Sequence, residues 1–300
     1  MKITIVTAFF DIGRGEFGYL GRSNDKYFEY FKFWARIQND LIVYCQSSNA
    51  RQIMKIRAQF GLADKTKICV IDDIFSIEKT TYDKMKEIEN NRKFHNFRYS
   101  KKALSNCADY DYIMYMKWWC LKDAASRLDS RHMVAWLDFG YNHGGVYYTD
   151  PKDFNFIWEY DFEDKINIFC LSDPNKACAI DYLQFQADCC IGCTAVMTAS
   201  NSIKFWSYIK ESMRALLSLD CIDDDQMLIL MAYKLHSTDF SFRICDWFRA
   251  VELCSKIKFH TNNKKNTRSP KQIIKFWFER LKTKYSFIER SKVRERIYWK

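Results

Sequence analysis

The run MVAWLDFGYNH, residues 133–143, carries an apolar stretch straight into one carboxylate, Asp138, and then into Gly140. A charge at the end of a buried strand is costly unless it faces water, a partner or a cation. Two readings stay open: an aspartate that starts a turn, or an oxygen ligand for a divalent metal that bridges to a substrate diphosphate. In the second reading Lys117, on the preceding helix, neutralises phosphate charge. The loop TAFFDIGRG, residues 7–15, places Arg14 beside two glycines. It contains neither GxGxxG nor GxxxxGK[ST], so dinucleotide and P-loop binding lose their support. A glycine-bearing turn after a first strand still holds a nucleotide or diphosphate through backbone N–H groups and an arginine; the alternative is a solvated turn.

The run DDDQ, residues 223–226, opens a helical pattern. One aspartate there caps N–H groups and favours the helix dipole. Three in a row exceed what capping needs, so one or two of them are candidates for a general base or a group that orients an acceptor hydroxyl, with Gln226 beside them. His260, in KIKFHTNN, follows a predicted strand and offers a third metal or diphosphate contact, or is simply structural or exposed. Trp247, in CDWF, offers a sugar platform or a core side chain.

These residues need elements to position them. KITIVTAFF reads as a buried first strand. A helix over residues 25–38 follows, with Tyr27, Phe28, Phe31, Trp34 and Ala35 on one face. DLIVYC is a second strand, RQIMKIRAQFGL a second helix ending at Gly61, and KICVIDD a third strand finishing on Asp72 and Asp73. This alternation predicts a parallel sheet with crossover helices and a ligand site beyond the carboxyl ends of the strands. Residues 108–127 read as a helix, MVAWL, INIFCL and CCIGCTAVMTA as strands, and residues 202–218 and 222–235 as helices; SFRICDW is a short strand or turn. After the polar break NNKKNTRSPKQ, Ile274, Trp277, Phe278, Leu281, Tyr285 and Ile288 form a helical stripe.

With 48% apolar and 17% aromatic residues the chain can bury a full core. The opening apolar run stops at Asp11, too short for a signal-peptide core, so a reducing cytosolic setting with free cysteines is expected. One CxxC, Cys190 to Cys193, has no second pair at zinc-finger spacing, and no stretch reaches the ~18 apolar residues of a membrane span. The net charge of +10 is concentrated at one end: residues 256–300 hold ten Lys and five Arg against three Glu, a net of +12, which leaves the body at −2.

The motifs TAFFDIGRG, YFEYF, YMKWW, WLDFGY and DDDQ, in this order over residues 1–260, resemble the HtrL/YibB (WlaTC-like) family of bacterial proteins. The resemblance implies an α/β fold, a GT-A-like Rossmann-type mixed sheet flanked by helices, and a glycosyltransferase of lipopolysaccharide or other surface-glycan biosynthesis. It implies that Thr7, Ala8, Phe9 and Arg14 line the nucleotide and that Asp72 or Asp73 accepts from the base. Asp138 takes the role of a DxD-type metal ligand for Mn2+ or Mg2+, Lys117 and His260 hold diphosphate or metal, and Asp224 or Asp225 meets the acceptor. Phe139 and Gly140 follow Asp138, so the second acid of a DxD is missing. The expected partners are a nucleotide-sugar, a UDP-sugar first, and a glycan acceptor.

Residues 1–260 then form the catalytic domain and 261–300 a basic amphipathic tail, which suits peripheral attachment to an anionic leaflet at the cytoplasmic face of the inner membrane. A +12 tail with aromatics is also an electrostatic footprint for nucleic acid. The acidic body and the absence of RRM, KH or helix-turn-helix signatures argue against that use. A third reading is a non-catalytic glycan-assembly protein that kept the fold and lost the chemistry.

Overall fold

The computed structural model describes residues 2–16, 21–100 and 103–262. Its seven strands are β1 (Ile3–Phe9), β2 (Leu41–Cys45), β3 (Thr66–Val70), β4 (Met133–Leu137), β5 (Ile166–Cys170), β6 (Cys190–Thr198) and β7 (Phe240–Ile244), joined in one sheet of order β3-β2-β1-β4-β6-β5-β7. β1 pairs in parallel with both β2 and β4, and β2 with β3. β6 then runs antiparallel to β4 and β5, and β7 is parallel to β5. The fold is therefore α/β with a mixed sheet, and the parallel alternation read from the sequence holds for its first half.

The order of the strands sets the site. From β1 the chain moves outward to β2 and β3, then returns through β4 on the other side of β1. Helices cannot cover the crevice where the winding reverses, so the carboxyl ends of β1 and β4 stay open to a ligand.

Both faces of the sheet are covered, which explains the near-continuous apolar runs. Along β4, Val134 and Trp136 point to one core while Met133, Ala135 and Leu137 point to the other, the two-residue period of a strand. The first core holds α3 (Lys79–Glu89), α4 (Arg92–Phe97), α5 (Ala108–Ala125), α6 (Ala179–Phe185), α7 (Ala199–Ser218) and α8 (Asp225–His236); the second holds α1 (Asn24–Trp34), α2 (Ser47–Ala58) and α9 (Ala250–Leu253). The same period separates Cys190, on the first face, from Cys193, on the second. The two thiols of the CxxC cannot share one metal, and all twelve cysteines are free.

α1 stops at Trp34, four residues before the predicted end, because Ala35 caps it and the chain turns there so that Arg57 can bind the carbonyls of Ala35, Ile37 and Asn39. Gly61, beyond α2, takes a φ of +69° that other residues adopt at a cost. α3, α4, α6 and α9 are absent from the sequence reading. Among the described residues no helix is long and apolar enough to cross a membrane. The basic stripe of residues 274–288 lies outside the described residues, while Thr261 still bridges to Tyr148.

Candidate functional site

A cavity of about 310 Å³ opens at the carboxyl ends of β1 and β4. β1 contributes Ala8 and Phe9, and the loop after it Arg14 and Arg22. α5 brings Tyr110, Met114 and Lys117, and β4 delivers Trp136 and then Asp138. β6 adds Gly192 and Cys193, the start of α8 adds Asp225 and Gln226, and Trp247 closes one side.

Its floor is a cage around one ammonium. Lys117 Nζ lies 2.5 Å from Asp225 Oδ2, 2.8 Å from the Gly192 carbonyl and 3.3 Å from Asp138 Oδ1. Asp225 Oδ2 has no partner in hydrogen-bonding geometry even though the ammonium is so near; the pair is held by charge rather than by a directed bond. Lys117 is 3% exposed and Asp225 1%, whereas Asp138 is 34% exposed and meets the cavity. Trp136 Nε1 donates to Asp138 Oδ1 at 2.6 Å and fixes that carboxylate.

Burial raises the Asp225 carboxyl to about 6; Lys117 opposes the shift and the charge of Asp138 adds to it. For Lys117, burial works against the charge, but the carboxylates of Asp138 and Asp225 outweigh it and hold the ammonium above its ordinary value. Gly192 makes the arrangement possible, since a Cβ there would fall on the Asp225 carboxylate.

The loop side of the cavity carries two arginines, Arg14 and Arg22, and one acid, Asp11, which accepts from the Gly13 N–H and Asn24. The Arg14 guanidinium donates to the Tyr27 hydroxyl and lies over the rings of Tyr110 and Tyr27, 5.0 and 5.7 Å from their centroids. Its Nε is buried without a partner among the described residues. Arg22 Nη1 is 3.0 Å from His143 Nε2. Because arginine only donates, Nε2 is the acceptor and the imidazole is neutral. Burial, then the charge of Arg22, lowers His143 to about 4, which agrees. His143 and Asn142 have φ of 44° and 61°. The turn is held because the Asn142 side chain accepts from the N–H groups of Tyr147 and Tyr148 and donates to the Tyr148 carbonyl. Among the described residues neither Arg14 nor Arg22 has a carboxylate partner.

The structure brings together Ala8, Phe9, Arg14, Lys117, Asp138, Asp225, Gln226 and Trp247 of the expected residues. Five others lie elsewhere. Thr7 is buried inside β1. Asp72 and Asp73 follow β3, the outermost strand on that side, where Asp72 accepts from the Ser47 N–H at 2.7 Å and Asp73 caps a short turn. Asp224 is the N-cap of α8 and accepts from Gln226 N–H. His260 is not beside Asp138. Its Nδ1 is 3.0 Å from Asp153, and His260, Asp153 and Asp150 place potential ligand atoms within 4.8 Å of one another, a group that could hold a cation but that does not line the cavity. Three oxygens stand around the Lys117 ammonium: it donates to Asp138 Oδ1 and the Gly192 carbonyl and is ion-paired with Asp225.

Sequence reasoning missed Arg22, Tyr27, Tyr110, His143 and Gly192. Arg22 follows Arg14 on the same glycine-bearing loop, and His143 ends the run that contains Asp138, so both had a signal; Gly192 had none.

The HtrL_YibB family, described as bacterial proteins of unknown function, matches residues 1–255. Protein HtrL of Escherichia coli (strain K12) is 27% identical, over 77% of this chain and 83% of its own length. Among solved structures, apo mouse xyloside xylosyltransferase 1 superposes with a TM-score of 0.42 at 12% identity, covering 83% of this chain and 90% of its own. With 255 of its 300 residues matched from the first onward, the chain belongs to the HtrL_YibB family.

Proposed function

We propose that the protein transfers a sugar from a nucleoside diphosphate donor to a hydroxyl of a glycan. The observation that carries this reading is one cavity divided by charge. Two arginines that have no acid partner among the described residues stand at its rim, and an acid–ammonium–acid cage forms its floor. Its size falls in the range of small-molecule sites, roughly 300–1,000 Å³. A diphosphate suits the guanidinium pair, which stabilises charge developing on the leaving group. Asp138, the exposed member of the cage, meets hydroxyls of the donor sugar. Asp225 takes the proton of the attacking acceptor hydroxyl as the new C–O bond forms and the bond from the anomeric carbon to the phosphate oxygen breaks, releasing the nucleoside diphosphate. A carboxyl near 6 is ionised at neutral pH and still basic enough to accept that proton. Gln226, whose buried Oε1 has no partner among the described residues, binds the acceptor in this reading.

A UDP-sugar is the first donor to test, and a bacterial surface glycan such as lipopolysaccharide the first acceptor, in keeping with the bacterial family and with a tail of net charge +12 suited to an anionic membrane surface. A second reading, a non-catalytic binder, draws on the 1% exposure of Asp225.

Thermal melting against UDP-, GDP-, CMP- and dTDP-sugars tests the proposal. One donor is expected to stabilise the protein by about 2 kcal/mol or more at saturation. Its slow hydrolysis should be lost in Asp225→Asn with binding retained. Binding without hydrolysis in the unaltered chain would favour the second reading, and no shift with any donor would end both.

A further inference from the structure

A diphosphate carries charge that a GT-A-type site meets with a divalent cation held by acidic side chains, and the cage does not suit one. Asp138 Oδ1 already receives Trp136 Nε1 at 2.6 Å and lies 3.3 Å from the Lys117 ammonium. Position 140 is glycine, so no second acid follows, and His260 lies with Asp153. The oxygens that could gather a cation, from Asp138, Asp225 and the Gly192 carbonyl, are gathered instead around Lys117 Nζ. A divalent ion placed on the remaining oxygen of Asp138 would face that ammonium at close range, and like charges at such a distance repel strongly in a buried site.

Resting on the function proposed above, we propose that Lys117 occupies the position of the divalent cation, so that donor binding is independent of metal and the diphosphate is neutralised by Arg14 and Arg22. The ammonium is a resident, fixed charge. It donates to Asp138 Oδ1 and the Gly192 carbonyl and is ion-paired with Asp225, so it sets the potential of the floor and the orientation of both carboxylates without touching the diphosphate. The guanidinium groups at the rim remain to do that. Arg14 is held over two tyrosine rings, and Arg22 is oriented by the neutral His143. Two positive charges against a diphosphate give the balance that one divalent ion would give.

The experiment is calorimetric titration of the full chain with UDP, GDP and dTDP and their glucose esters, once in EDTA and once in manganese chloride. The expected result is one nucleotide whose dissociation constant agrees within about threefold in the two conditions and rises about tenfold or more in Arg14→Ala and in Arg22→Ala. Lys117→Met should acquire what the natural chain lacks: two acids with no resident cation, and donor binding that now requires manganese. Should that variant fail to fold, the titration of the unaltered chain decides alone. Binding seen only with manganese overturns the resident-ammonium proposal and leaves the proposed function standing. Binding of no nucleotide in either condition removes the proposed function and this inference with it.

Discussion

Arg98 and Lys117 are two buried cations served by the same run of aspartates, and they are used in different ways. Arg98 is fully buried, and its whole donor set is spent inward. Nε goes to Asn106, Nη1 to the Leu183 carbonyl and Asp223, both at 2.6 Å, and Nη2 to the carbonyl and hydroxyl of Ser105. Two residues along the chain, Asp225 meets Lys117, whose other carboxylate, Asp138, is a third exposed. Between them Asp224 caps the helix. The acids of DDDQ thus divide into a structural anchor, a cap and a site residue. What separates the first from the last is whether the partner's remaining contacts face the core or the cavity.

The largest effects should come from removing one member of either pair, and they should differ in kind. Arg98→Met strands Asp223 in the interior and should cost about 3–5 kcal/mol in a urea melt, the usual penalty for breaking a buried pair from one side. Asp225→Asn should leave donor affinity nearly intact and lower turnover about 10²- to 10⁴-fold, the range for losing a general base. An Arg98→Met protein of native stability, or an Asp225→Asn protein of native turnover, would erase the distinction.

Gly192→Ala sharpens it at smaller cost. The new methyl falls on the Asp225 carboxylate, and forcing an extra carbon into a packed place typically costs about 1–3 kcal/mol. Turnover should fall with the displaced carboxylate while donor affinity, set at the rim, changes little. A variant with full turnover would show that Asp225 need not sit where it does.

The pH dependence of Asp225 is a finer test. An unfolded aspartate titrates near 4, and burial holds the folded one at about 6. Between those values the unfolded chain has released a proton that the folded chain keeps, so this group makes stability fall as pH rises from about 4 to about 6 and adds no slope above. Asp225→Asn should flatten that part of the stability profile. Turnover should rise through about 6, because only the ionised form accepts a proton; a rate that instead fell across that range would assign Asp225 the role of an acid.

Much of this was legible in the sequence, for identifiable reasons. Asp138 stood out because an apolar strand has no use for a charge at its end, and Asp225 because three acids exceed what a cap requires. Asp72 and Asp73 also end a strand, and the resemblance implied that one of them accepts from the nucleotide base; β3 is outermost, and strand order is fixed by long-range pairing that no local pattern encodes. Gly192 was invisible because its role is set by how closely α8 approaches β6. α3 escaped notice because only Met85 and Ile88 are buried on it, too few to mark a period.

The smallest expected effect concerns a surface group of two acids and an imidazole. Asp150, Asp153 and His260 resemble a ligand set more than the cage does, since two carboxylates and an imidazole converge with no lysine among them. Each nevertheless has a local partner. Asp150 accepts from Lys152 N–H, and Asp153 accepts from His260 N–H and ring, while the imidazole is 74% exposed. An exposed pair of this kind contributes at most about 1 kcal/mol. Because none of the three lines the cavity, His260→Ala should leave donor affinity and turnover unchanged in EDTA and in manganese alike. Any manganese-induced rise in melting temperature that this variant abolishes would then belong to the surface group, separate from the donor site. A loss of donor binding in His260→Ala would instead tie the two regions together and require His260 to reach the cavity by a rearrangement.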